Sequence, residues 1–162
     1  MCSSDLGMLL NGRLLPSGAV EASLEMSEAN KDCVRRLFDE VWNSGKLALL
    51  DTLIGAAYVE HNPVPDQPSG AAGVKGRVET LREAFPDLRF TLEELVAEGD
   101  LVAARYSWRG THKGEAFLGI PPSGKGILVR GMDFFRLREG RIVEHWDNVD
   151  ELGMLTQLGD LG

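Results

Sequence analysis

Chemically useful residues are few in this chain. It has two cysteines, Cys2 and Cys33, with no pairing pattern. That excludes a disulfide framework and points to a reducing, cytoplasmic setting. There are three histidines, His61, His112 and His145, and none has the paired spacing of an HExxH-type site, so no metal is expected. Positive charge is in deficit: 17 Lys and Arg stand against 25 Asp and Glu, a formal net charge of −8. No basic stripe is left to neutralise phosphates, which argues against a nucleic-acid partner. No apolar run approaches the roughly 20 residues of a membrane-spanning helix, so no membrane partner is expected. Gly124-Lys125-Gly126 lacks the strand-to-helix setting of a phosphate loop. Neither a Gly-x-Ser-x-Gly elbow nor a Cys/His nucleophile pair occurs, and no cofactor is implied.

What is present suits one globular domain. With 43% hydrophobic and 26% charged residues in 162, the chain is long enough to bury a core unaided. Residues 1–26 are expected to be an unstructured or artefactual extension. The Leu pairs of Met8–Leu24 are interrupted by Asn11, Gly12, Arg13 and Pro16 before a signal-peptide core can form. Met1–Leu6 reads like a translated sequencing-adaptor end, with Met8 or Met26 as the expected start. The domain is placed at 27–162. Ser27 caps a first helix with Val34, Leu37, Phe38, Val41 and Trp42 at helical spacing, stopped at Gly45. A short helix follows through Leu47, Leu50, Leu53 and Ile54, then a strand at Ala57–Glu60. A third helix carries Val74, Val78, Leu81 and Phe85, and ends at Pro86. Strands at Arg89–Ala97 and Leu101–His112, a loop through Phe117–Gly124, a C-terminal hairpin and a last helix at Asp150–Leu158 complete the pattern. Helices first and antiparallel strands after imply an α+β fold. The expected form is a cone-shaped curved antiparallel sheet with three N-terminal helices closing a pocket.

The hairpin Arg130–Leu137 and Ile142–Val149 carries the candidate chemistry. A two-residue loop Glu139-Gly140 requires Glu139 at positive φ, which its side chain resists. A three-residue loop with Gly140 as the bulge pairs Asp133 with His145 and Gly131 with Asp147. Asp133, His145 and Asp147 then share one face with Phe135, Leu137, Val143 and Val149. Two carboxylates and an imidazole on an apolar face are costly unless they have a role.

The stretches Leu37–Gly45, Thr111–Glu115 with Phe117–Pro122, and Gly140–Asp147 resemble the SnoaL-like polyketide (ester) cyclase family of the nuclear-transport-factor-2-like superfamily. The resemblance runs from about Asn30 to Gly159. It implies a cone-shaped α+β barrel and a cofactor-free intramolecular aldol closure of an aromatic polyketide methyl ester, with Asp147 as general acid/base. Residue by residue the role is sensible, because one buried carboxylate can take an already acidic proton and return it to the forming alkoxide. The alternative is that Asp147 caps the last helix or pairs with Arg105 or Arg130. The founding cyclases of the family carry His at the position of Asp133, so this chain departs from them there. Asp133 either orients His145 or is only its structural partner, and His145 is either a second base or donor, or locally satisfied.

Tyr58, His61, Phe85, Arg105, His112 and Phe135 are the candidates for substrate contact. His61 and His112 are placed at the mouth. Arg105 either reaches into the pocket or pairs with Glu93 on the surface. Trp146 faces outward, as an anchor for a partner subunit. The expected partners are a small apolar or aromatic carbonyl substrate and further copies of the chain, in a homodimer or homotetramer through the outer sheet face. A dehydratase or epoxide hydrolase in the same cone, or a non-catalytic binding domain, are the alternative functions.

Overall fold

The computed structural model describes residues 8–10, 13–15 and 17–159, with side chains from residue 18 to 159; the adaptor-like Met1–Leu6 lies outside them. A small hairpin, β1 (Met8–Leu10) and β2 (Arg13–Leu15), precedes the helix α1 (Ser17–Arg36). That helix begins ten residues before the expected cap at Ser27. Nothing between Gly18 and Ser27 breaks a helix, and Ala, Glu, Leu and Met there favour one. It continues into a π-helical stretch, Leu37–Asn43, which buries Leu37, Phe38 and Val41. Gly45, at φ 69°, then ends it in the left-handed conformation. A 3-10 turn at Leu47–Leu49 leads into α2 (Leu50–Leu53) and β3 (Ile54–Glu60). The helix α3 (Ala71–Ala84) stops before Pro86, as expected. The strands β4 (Arg89–Glu98), β5 (Leu101–Thr111), β6 (Gly126–Arg138) and β7 (Arg141–Val149) follow, and α4 (Glu151–Leu158) is capped by Asp150.

The five-stranded sheet is curved and unclosed, in the order β3-β7-β6-β5-β4. Its last four strands are antiparallel, as expected, but β3 joins β7 in parallel. The chain reaches β7 from β3 only after α3 and three further strands, a connection long enough to bring it back in the same direction.

The β6–β7 hairpin corrects the expected register. The β6–β7 loop has two residues, with Glu139 at φ 51° and Gly140 at φ 72°, the double left-handed turn whose twist matches that of the strands. The extra residue sits in the ladder instead: Leu137 pairs with Ile142, but Arg136 with Glu144. Asp133 is therefore opposite Asp147, and His145 is opposite Phe135. The β4–β5 loop is likewise two residues, Gly99-Asp100, with its irregularity between Leu92 and Glu94. Bulges moved into the ladder bend and twist the sheet more than loop bulges would.

The concave face holds the core. Phe38 projects onto the sheet, its ring centre 5.8 Å from that of Phe90, 5.1 Å from Tyr106 and 6.3 Å from Phe135. Phe85, fully buried, packs on Trp108, His112 and Phe117. These rings fill much of the space where a pocket was expected. A cavity of about 640 Å³ opens on the outer side, where Arg105, Arg130, Met132 and Asn148 line it together with residues leading into α4.

Candidate functional site

Strand alternation selects what faces the core. Along β6 every second residue is buried: Ile127, Val129, Gly131, Asp133, Phe135 and Leu137. Asp133 is the one charge in that row. Across from it, the ladder bulge puts His145 and Asp147 of β7 on the same face. Gly131 leaves room at the inner end, where a Cβ would come within 2.5 Å of the Tyr106 ring and hydroxyl. Tyr106 lies across that gap, and its hydroxyl donates to Asp133 Oδ1 at 3.1 Å.

Two charged residues join the three expected ones. Glu60, the last residue of β3, reaches the cluster because β3 is paired with β7 at Glu60–His145. Arg77 comes from α3. His145 Nδ1 lies 2.8 Å from Glu60 Oε2, which also accepts from the Tyr58 hydroxyl at 2.8 Å. His145 Nε2 sits 3.1 Å from Asp133 Oδ2. That contact is an ion pair without hydrogen-bond alignment, since Nε2 makes no geometrically sound bond. Beneath the imidazole, Phe135 stacks at 4.6 Å and 10°. Arg77 Nη2 donates to Asp147 Oδ2 at 2.6 Å, and Nη1 lies 3.5 Å from Glu60 Oε2. Asp147 Oδ1 has no hydrogen-bond partner among the described residues, and the Asp147 backbone N–H donates to Asn62 Oδ1.

Burial and pairing compete at each group. For His145, burial opposes the charge, but the contacts with Asp133 and Glu60 outweigh it, and its pKa is pushed up to about 9. Burial pushes Asp133 up; His145 and Tyr106 counter this only in part, and the Asp147 charge opposite adds to it. Glu60 is also penalised by burial, yet the His145 hydrogen bond and charge, with Tyr58 and Asn62, hold it below the usual carboxylate range. Burial disfavours the Arg77 charge too, but Asp147 and Glu60 hold its pKa above the ordinary arginine value. Arg77 is the most exposed side chain of the cluster at 21%; Asp147 and His145 are each 12% exposed, against 6% for Asp133.

The remaining candidates are distributed differently. Tyr58 and Phe135 adjoin the cluster, as described. Arg105 lies on the outer face, where its Nε donates to Glu94 Oε2 at 3.0 Å. The surface pair is thus the reading that holds, with Glu94 in place of Glu93 because of the β4 irregularity. His61 is not at a mouth on the concave side. It stacks flat on Trp146 at 4.3 Å and meets Glu144 at 3.0 Å, both on the outer side. His112 is fully buried, its Nε2 against the Glu115 carbonyl at 3.1 Å and its ring against Phe85. Phe85 is core. The position of Asp147 also settles its alternatives: Asp150 caps α4, and the partner of Asp147 is Arg77, not Arg105 or Arg130. Arg77 had a legible signal, a charge three residues after Val74 and four before Leu81 on the apolar stripe of α3. Glu60 had none beyond sharing a strand face with Tyr58.

Comparison with known proteins bears on the family and the fold. The family model described as SnoaL-like polyketide cyclase matches residues 32–158. The aklanonic acid methyl ester cyclase DnrD of Streptomyces peucetius is 32% identical over 136 residues, 80% of this chain and 90% of that protein. DauD of Streptomyces sp. (strain C5), an enzyme of the same description, is 32% identical, covering 80% and 81%. Among solved structures, TsrD of Streptomyces laurentii superposes with a TM-score of 0.76 at 30% identity, covering 83% of this chain and 97% of that one. IdmH of Streptomyces antibioticus gives 0.69 at 38% identity, covering 80% and 98%.

Proposed function

The chain belongs to the SnoaL-like polyketide cyclase family, and from that premise we propose that it is an ester cyclase. In this reading it closes a ring in a polyketide-like carbonyl compound by acid/base chemistry, with Asp147 as the acid/base. The carrying observation is the Asp147 carboxylate in a largely buried charge cluster, gripped on Oδ2 by Arg77, the cluster's most exposed member, with Oδ1 free of hydrogen-bond partners among the described residues. A carbon between two carbonyls holds its proton loosely, so a single carboxylate in a sheltered site suffices to take it. The electron pair passes to a carbonyl oxygen as an enolate. Its carbon attacks a second carbonyl of the same molecule, and Asp147 returns the proton to the new alkoxide. Nothing is gained or lost, so the product is an isomer and the side chains supply all the proton traffic without a cofactor.

Asp133 and His145 assist in this scheme. His145, with its pKa pushed up to about 9, carries a proton at neutral pH and acts as a fixed positive charge, not as a second base. Asp133 orients it, a role supported by the 3.1 Å contact. The bound substrate is apolar or aromatic and is bordered by Tyr58; Phe135, buried beneath the His145 ring, belongs to the packed core that supports the site. The working protein is a cytoplasmic homodimer or homotetramer joined through the outer sheet face, a reading supported by the exposed Met132 and Phe134 there.

The test is incubation with aklanonic acid methyl ester, the compound for which the two Streptomyces relatives are named, beside a panel of small epoxides. An isomer of unchanged mass with a new ring is expected, formed about 10²–10⁴-fold more slowly by Asp147→Asn. Cyclisation unaltered in Asp147→Asn removes Asp147 from the mechanism, and turnover of epoxides alone removes cyclisation.

A further inference from the structure

We propose that Arg77 carries the enolate: as Asp147 takes the proton, the guanidinium passes from the neutralised carboxyl to the substrate oxygen that has become negative. This rests on the reading of Asp147 as the acid/base. A sheltered cation needs a counter-charge close by. In the resting cluster that counter-charge is Asp147, 2.6 Å from Nη2. Proton abstraction moves the negative charge off Asp147 and onto a carbonyl oxygen of a substrate necessarily in contact with that carboxyl. Glu60 cannot replace it, since its Oε2 is already engaged by Tyr58 and His145 at 2.8 Å each and meets Arg77 only at 3.5 Å.

Among the described residues no other cation is placed to follow the charge. His145 is confined between Glu60 and Asp133 and stacked on Phe135. Arg82, further along α3, donates to the Trp42 and Asn43 carbonyls, and Arg105 is on the outer face. The shape of the group also suits the task. The enolate of a 1,3-dicarbonyl spreads its charge over two oxygens, and a planar guanidinium presents paired N–H donors to such an anion. In the resting structure the two terminal nitrogens of Arg77 already address two different carboxylates. Arg77 is thus assigned recognition of the ionised form of the 1,3-dicarbonyl unit from which Asp147 takes its proton.

The probe is dimedone, a 1,3-dione that is an enolate anion at neutral pH, compared with its neutral O-methyl enol ether by calorimetric titration at pH 7. The titration is made on Asp147→Asn, whose neutral amide stands for the carboxyl after proton transfer, and this protein is expected to bind dimedone about tenfold or more tightly than the ether, the scale of a charge-assisted hydrogen bond. In that background Arg77→Met is expected to erase the preference, read as the ratio of the two affinities, and Arg77→Lys to retain part of it. An Asp147→Asn protein without preference, or its Arg77→Met derivative that keeps the preference, overturns the proposal. Should Arg77→Met fail to fold, Arg77→Lys decides: a preference reduced about threefold or more supports the fork, and an unchanged one overturns it. Asp147-dependent cyclisation without any anion preference sinks the role of Arg77 alone. An Arg77-dependent preference in a protein that cyclises nothing supports the anion site and overturns only the reading beneath it.

Discussion

On the outer face of β7, Glu144 meets His61 at 3.0 Å with one oxygen and Arg136 at 2.9 Å with the other, and Arg136 continues to Asp100. One residue along, on the inner face, His145 lies between Glu60 and Asp133, with Arg77 and Asp147 beside them. The two ladders use the same side-chain types at similar distances. They differ in shelter: the His61 side chain is 35% exposed and that of His145 12%. Water screens the outer contacts, so they tie down a surface and little more. On the inner face each charge depends on its neighbours, and removing one exposes the rest to the full cost of burial. That interdependence is what an acid/base site needs, because moving one proton then changes the balance of the whole group.

The sharpest way to break this contrast is to delete the histidine on each face. His145→Ala leaves Glu60 and Asp133 buried without the cation between them, an expected loss of about 3–5 kcal/mol in urea unfolding at pH 7. His61→Ala is expected to change stability by no more than about 0.5 kcal/mol. Equal losses would mean that shelter does not separate the two ladders.

A pH series sharpens the same point. Folding raises the His145 pKa from 6.5 to about 9, so the folded state holds the extra proton. Its contribution is complete below about pH 6.5 and is lost as the pH rises through about 9, by a few kcal/mol at most at ~1.4 per unit. Urea midpoints are therefore expected to fall between pH 6.5 and 9, and to do so less steeply in His145→Gln. A slope that His145→Gln leaves unchanged would assign the dependence to other groups.

The smallest effect concerns the turn that allots residues to the two faces. Glu139 holds φ 51° with a full side chain. Glu139→Gly is expected to stabilise the protein by roughly 0.5–1 kcal/mol without altering the register. Destabilisation would show that the Glu139 side chain supports the turn in a way its backbone angle conceals.

The elements were largely legible in the sequence. Alternation along β6, helical spacing around Val34–Val41, and the stops at Gly45 and Pro86 are local signals, and the elements follow them. The β6–β7 register was not legible, because a glycine that can close a three-residue loop can also close a two-residue one. The choice is made by how the ladder absorbs an extra residue, through twist distributed over whole strands. The meeting of Asp133 and His145 survived that error: the bulge restores the parity that the shorter loop removes, and the pair meets diagonally instead of face to face. Glu60 and Arg77 escaped notice because their contacts span 85 and 70 residues. His61 was assigned to the concave side, yet β3 pairing continues into its backbone, whose N–H bonds to the His145 carbonyl, and the next step of alternation turns its ring outward.

The central claim is that Asp147, held by Arg77, performs the proton transfer, while Asp133 and His145 sustain the cluster around it. Turnover of aklanonic acid methyl ester by Asp147→Asn and Asp133→Asn, measured side by side with folding verified for both, tests it most directly. The expected result is a loss of about 10²–10⁴-fold in Asp147→Asn and a clearly smaller loss in Asp133→Asn. The reverse order, with Asp147→Asn near wild type and Asp133→Asn inactive, would contradict it.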